Sequence, residues 1–179
     1  MRNHLILLLL LLLVAAEATL WVRNPMNIPA AFLTARAFGF QLFRETGPSM
    51  APAIPPDHEV LVSSWSYWNA ESHVGDIVAF VYPEDPSIAD LKRVVATGGS
   101  FIEIREGVTY INGERYPEPY LQSPPAERQF MRKLQVPRAG YFVMGDNRDP
   151  SEDSRNYGVI MRDRIIGKLW RQSTWQGIR

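Results

Sequence analysis

Cysteine is absent from the 179 residues, which removes a thiol nucleophile, a thiolate metal site and a disulfide framework together. That absence does not fix the compartment, because a medium-sized domain can be stable outside the cytosol without bridges. Neither sign of charge is in excess: 19 basic and 19 acidic side chains cancel, so the basic surface of a nucleic-acid binder is not encoded. Histidine occurs three times, and helical periodicity is scarce beyond the N-terminus. With thiols gone, a side-chain nucleophile must be a hydroxyl, carboxylate, amine or imidazole. What remains is 46% hydrophobic and 21% charged, with 14 prolines and 12 glycines, the composition of one folded domain with an appendage.

The appendage is the leucine-rich run from Leu5 to Ala16, whose apolar character resumes after Glu17 through Val22. Two readings compete. Met1 to His4, the leucines and Ala16-Glu17-Ala18 follow the grammar of a cleavable signal peptide. Taken from Leu5 to Val22, the same tract makes a helix of roughly 27 Å, close to the thickness of a hydrocarbon core, with Trp21 at an interface. The retained anchor, residues 1–23, is the preferred reading, although Arg23, Arg36 and Arg44 on its far side weakly oppose an N-in orientation. Either reading exports residues 24–179. The apolar stretch from Asn24 to Arg44, broken by prolines, suits a membrane surface or a core segment, with Ala37 to Phe43 as a strand.

Short runs with strand character then recur: Glu59 to Ser63, Asp76 to Tyr82, Leu91 to Ala96, Phe101 to Arg105, Val108 to Ile111, Tyr141 to Met144 and Arg164 to Leu169. The domain is therefore mainly β. Asn112-Gly113 between two such runs predicts a two-residue hairpin, since both positions of a type I′ turn need positive φ. Residues 112–138, with prolines at 117, 119, 124, 125 and 137, read as a small accessory hairpin and loop excursion.

Three segments carry chemistry. Gly47-Pro48-Ser49-Met50-Ala51-Pro52 fixes a tight backbone around one hydroxyl, which suits a nucleophile with amides aimed at one point but also describes an ordinary turn. In Asp90-Leu91-Lys92-Arg93-Val94-Val95, alternation sends Lys92 to the face opposite Leu91 and Arg93. If that face lines a cleft, burial favours the neutral amine, a base for a serine proton; a solvent-facing lysine is the plainer alternative. Gly145 to Arg155 is dense in carboxylates, guanidinium groups and hydroxyls. Its alternation of Asp and Arg argues for internal ion pairs rather than a metal, and the EF-hand ligand pattern is missing. A Ser49, His73 and Asp76 triad is conceivable but geometrically unmotivated.

In this order, the segments resemble a type I signal peptidase, the membrane-anchored serine protease of peptidase family S26 that removes leader peptides from exported proteins. Ser49-Met50-Ala51-Pro52 resembles the serine box, Gly75 to Phe80 the next strand, Lys92 to Val95 the lysine box and Gly145 to Arg155 the Gly-Asp-Asn-Arg-Asp loop. The resemblance implies an antiparallel β-sheet, partial-barrel domain behind a single transmembrane helix, on the extracytoplasmic side of a bacterial inner membrane. It implies Ser49 as nucleophile, Lys92 as general base and Ser151 as the group that hydrogen-bonds and orients the amine. Asp153 and Arg155 would pair beneath the site, and Asp146 and Arg148 would brace the loop. Gly47 stands where some relatives carry a hydroxyl donor, so the oxyanion hole would rest on the Ser49 backbone N–H. Met50 and Pro52 would help wall shallow pockets selecting Ala-x-Ala. Neither a cofactor nor a metal is implied; the partners would be exported preproteins, membrane lipid and the translocation machinery, with no nucleic acid. A peptidase dedicated to pilin maturation in conjugative transfer, or a non-catalytic anchored β module, are the competing functions.

Overall fold

The computed structural model describes residues 6–15, 39–64, 72–123 and 129–172. Residues 6–15 form helix α1, with every side chain exposed. Among the described residues no helix is long and apolar enough to cross a membrane; the rest of the Leu5–Val22 tract lies outside them.

Among the described residues eleven strands follow: β1 (Phe40–Glu45), β2 (His58–Ser63), β3 (Ile77–Val81), β4 (Ala89–Thr97), β5 (Phe101–Arg105), β6 (Val108–Ile111), β7 (Glu114–Arg115), β8 (Met131–Gln135), β9 (Gly140–Met144), β10 (Ile160–Met161) and β11 (Ile165–Gln172). A short helix, α2 (Ser154–Tyr157), precedes β10. The large sheet runs β1-β2-β11-β3-β4-β9-β10 and the small one β7-β6-β5-β8. Every pairing is antiparallel.

The mainly β reading is met, and the Asn112-Gly113 turn joins β6 to β7 with both residues at positive φ, 54° and 88°. The strand expected over Ala37 to Phe43 is described as Phe40–Glu45, and Ala37 and Phe38 lie outside the described residues. Within the 112–138 excursion the structure adds β8, which completes the small sheet by pairing with β5. Met-Arg-Lys-Leu-Gln lacks an apolar alternation because β8 is an edge strand with mostly exposed side chains, and charge at an edge discourages pairing with other chains.

Alternation in β3 explains how the large sheet is covered on both faces. Ile77, Ala79 and Val81 enter one cluster with Phe43, Met50, Ile54, Val60, Val62 and Leu91. Val78 and Phe80 enter another with Val94, Val143 and Ile160. A third cluster joins the two sheets through Val95, Ile102, Ile104, Phe142 and Met144. The register shift between Val94 and Ala96 against β9 marks a bulge, which bends the strand and increases its twist.

Candidate active site

The site grows from the middle of β4. Its register sets Lys92 opposite Val78 and Arg93 opposite Met144, so this strand is flanked by β3 on one side and β9 on the other. Leu91 and Lys92 are both buried, Leu91 among apolar residues and Lys92 against polar partners. The Lys92 Nζ donates to Ser49 Oγ at 3.2 Å. It also donates to both Asp90 oxygens, at 2.8 and 2.7 Å, and to the Leu91 carbonyl at 3.2 Å.

Ser49 sits in the turn that follows β1 and is itself buried. Ala51 donates to the Pro48 carbonyl and Ile54 to that of Met50, closing the backbone around the serine. The hydroxyl donates to Glu45 Oε1 at 3.2 Å, giving an unbroken chain Glu45–Ser49–Lys92–Asp90. Burial of Glu45 raises its carboxyl above the usual carboxylate range, an effect opposed by the Lys92 charge and the Ser49 hydroxyl.

The Gly145–Arg155 loop closes on the serine turn from β9. Asn147 donates its backbone N–H to the Ser49 carbonyl at 2.9 Å. Gly145 is needed by close approach: a Cβ there would lie 2.2 Å from Ser151 Oγ and 2.6 Å from the Ser49 carbonyl oxygen. Asp153 is completely buried and accepts from Gly145 N–H at 3.0 Å and from Ser151 Oγ at 2.9 Å. It also caps α2 by accepting from the Arg155 N–H and takes the Arg155 guanidinium at 2.8 Å on each oxygen.

The expected Asp153–Arg155 pair is therefore present, but among the described residues it is the one ion pair internal to the loop, since Asp146 and Arg148 pair outside it. Asp146 holds the Arg93 guanidinium through two bonds of 2.8 and 2.6 Å, and Arg148 holds Glu118 and donates to the Gly145 carbonyl at 3.1 Å. Two expectations need correction. Ser151 does not bond the lysine: its hydroxyl goes to the buried Asp153 carboxylate, while Asp90 occupies the ammonium. Met50 does not wall an opening, because its side chain is fully buried in the first core cluster; Pro52 is exposed and Gly47 half-buried. The triad alternative fails, since His73 is exposed and lies against Asp76 at 3.9 Å, whereas Ser49 Oγ has Glu45 and Lys92. A cavity of about 460 Å³ adjoins the loop, lined in part by Ser151, Arg148, Arg155 and Phe130.

Sequence reasoning missed Asp90 and Glu45. The first was findable, because residues two apart in a strand share a face, and Asp90 precedes Lys92 by two. Glu45 gave no such signal, since its approach to Ser49 depends on the turn between them.

The family model for signal peptidase, peptidase S26, matches residues 18–172. The chain belongs to this family. It is 34% identical over 144 residues to signal peptidase I T of Bacillus subtilis strain 168, covering 75% of this chain and 74% of that one. It is 31% identical over 156 residues to a signal peptidase I of Bacillus licheniformis, covering 82% and 83% respectively. The crystal structure of a signal peptidase I from Enterococcus faecalis V583 superposes with a TM-score of 0.51 at 31% identity, covering 56% of this chain and 97% of that one. Signal peptidases of this family are serine peptidases acting on preproteins that carry signal peptides, and the antiparallel β domain described above is of their kind.

Proposed function

We propose that this signal peptidase is a membrane-bound serine endopeptidase cutting after small-x-small sites, with Ser49 as nucleophile and Lys92 as general base. The observation that carries the reading is the buried 3.2 Å contact between Lys92 Nζ and Ser49 Oγ, within hydrogen-bond reach of proton transfer. As a neutral amine, Lys92 takes the hydroxyl proton while Ser49 Oγ bonds to the scissile carbonyl carbon. The resulting ammonium protonates the departing amine as the C–N bond breaks, leaving an acyl ester on Ser49. Water then gives a proton to Lys92 and attacks the ester, and Ser49 Oγ leaves with a proton returned by the lysine.

The Ser49 backbone N–H is the donor for the developing oxyanion; it makes no backbone hydrogen bond among the described residues. Asp153 and Arg155 hold the loop that carries Gly145 against the serine turn, and Asp146 and Arg148 brace it. The Leu5–Val22 tract is the anchor, with the β domain on the extracytoplasmic side of a bacterial inner membrane and the substrate presented close to the lipid.

Cleavage of a purified preprotein by the detergent-solubilised full chain tests this reading, with the product N-terminus read by mass spectrometry. A cut after Ala-x-Ala that disappears in Ser49→Ala supports it. Continued cutting by that variant sinks the nucleophile, and no cut in any ordinary leader favours a dedicated substrate such as a pilin.

A further inference from the structure

Asp90 is the partner of Lys92 for which the proposed chemistry has given no role. The two residues share a face of β4, and the Asp90 carboxylate is fixed by the Leu91 N–H, which donates to Oδ1 at 2.7 Å. Held there, it receives Lys92 Nζ on both oxygens, at 2.8 and 2.7 Å, closer than the 3.2 Å separating the amine from Ser49 Oγ. The lysine side chain is 3% exposed and that of Asp90 23%, so water screens the pair only in part. Ser151, the group expected to orient the amine, is bonded to Asp153.

From this geometry we propose that Asp90 is a positioning residue that aims the Lys92 amine at Ser49 and, through its charge, sets the pH above which that amine acts as a base. The inference rests on the assignment of Lys92 as base. Its physical content is that an anion beside an amine favours the ammonium, whereas taking the serine proton needs the free lone pair.

The other ionisable groups that feel the charge of the pair are Glu45 from β1, across Ser49; Tyr82, just beyond β3; and Tyr157 on α2. Both phenols sense the Asp90 charge and burial holds each above its usual range, so neither competes as an anion. Glu45 bonds the serine rather than the lysine. Asp90 is thus the carboxylate in direct contact with Nζ, and its charge and its hydrogen bonds can be separated by substitution.

The test is the pH dependence of kcat/KM for preprotein cleavage by the full-length enzyme. In Asp90→Asn the carbonyl still accepts an N–H of the amine but the charge is gone. The acid limb is expected to move to lower pH by about one unit or more, with the high-pH plateau kept within a few fold. Asp90→Ala should show the same shift but a plateau at least tenfold lower, because nothing then holds the amine. Asp85→Asn, removing an exposed carboxylate between β3 and β4, should leave the profile in place. If Asp90→Asn does not fold, Asp90→Ser gives the same reading of the limb. An unshifted limb in the neutral variant overturns the proposal, whether or not its plateau falls. Lys92→Ala separates the two failures: its full activity would remove the base itself, whereas an inactive Lys92→Ala beside an unshifted Asp90→Asn removes only Asp90's role.

Discussion

Asn147 donates its backbone N–H to the carbonyl of Ser49 at 2.9 Å, joining the loop after β9 to the turn after β1. Ser49 is thereby held by β4 through Lys92 and by the Gly145–Arg155 loop through the main chain. The contact exists because Gly145, two residues earlier, lets the strands' ends approach without a side chain between them.

Gly145→Ala is expected to separate loop and turn. The added methyl meets Ser151 Oγ at 2.2 Å and the Ser49 carbonyl oxygen at 2.6 Å, and one of them, the backbone oxygen, cannot swing away. Overpacking of this kind costs about 1–3 kcal/mol, and kcat/KM should fall at least tenfold because Ser49 moves with its carbonyl. Urea unfolding and preprotein turnover measured on one preparation check both.

Asp153→Ala should be among the most destabilising single changes. It leaves the Arg155 guanidinium without its carboxylate, strands the Gly145 N–H and Ser151 hydroxyl, and removes the cap of α2. Breaking a buried ion pair on one side costs about 3–5 kcal/mol. Unfolding by urea would read this as a large fall in midpoint, and a loss under about 1 kcal/mol would contradict the role of this carboxylate as the loop's anchor.

Glu45 ties stability to pH. Its folded carboxyl binds a proton more tightly than the unfolded chain does, whose value is near 4.5, because burial disfavours the charge. Ionising it therefore subtracts from stability as pH rises from that value through the folded one, and below both there is no effect. Glu45→Gln, which keeps an acceptor for Ser49, should gain stability relative to wild type as pH rises above the unfolded value, the gain levelling off once the folded carboxyl has ionised. Unfolding midpoints of the two proteins at each pH decide it; a difference independent of pH would show that burial does not govern this group.

Much of this fold is legible along the chain because its strands are half- or fully buried and alternate or run apolar accordingly. Phe101–Arg105 and Val108–Ile111 match the structure end to end, and Asn112-Gly113 names its own turn. β8 is illegible for the opposite reason: an edge strand needs no apolar face, and Arg132 and Lys133 look like loop. Ser49 and Lys92 stand out through motif order, and their contact is a property of tertiary structure that alternation alone could not supply. The resemblance carried the site residues further than composition did, yet it misdirected the Ser151 hydroxyl, which donates to Asp153 while Asp90 takes the lysine Nζ. Asp90 was within reach of the two-residue period, whereas Glu45 depends on how the chain turns between β1 and Ser49.

The most direct measurement is preprotein turnover by the full-length chain carrying Lys92→Arg, beside wild type and Lys92→Ala. A guanidinium keeps the positive charge and can still donate to Ser49, but it does not release its proton in proteins. If Lys92 is the base, both variants lose about 1,000-fold or more in kcat/KM, with the circular-dichroism spectrum of the folded β domain retained. Turnover by Lys92→Arg within tenfold of wild type would mean that the site uses the lysine only as a charge, and the serine-lysine account would be wrong.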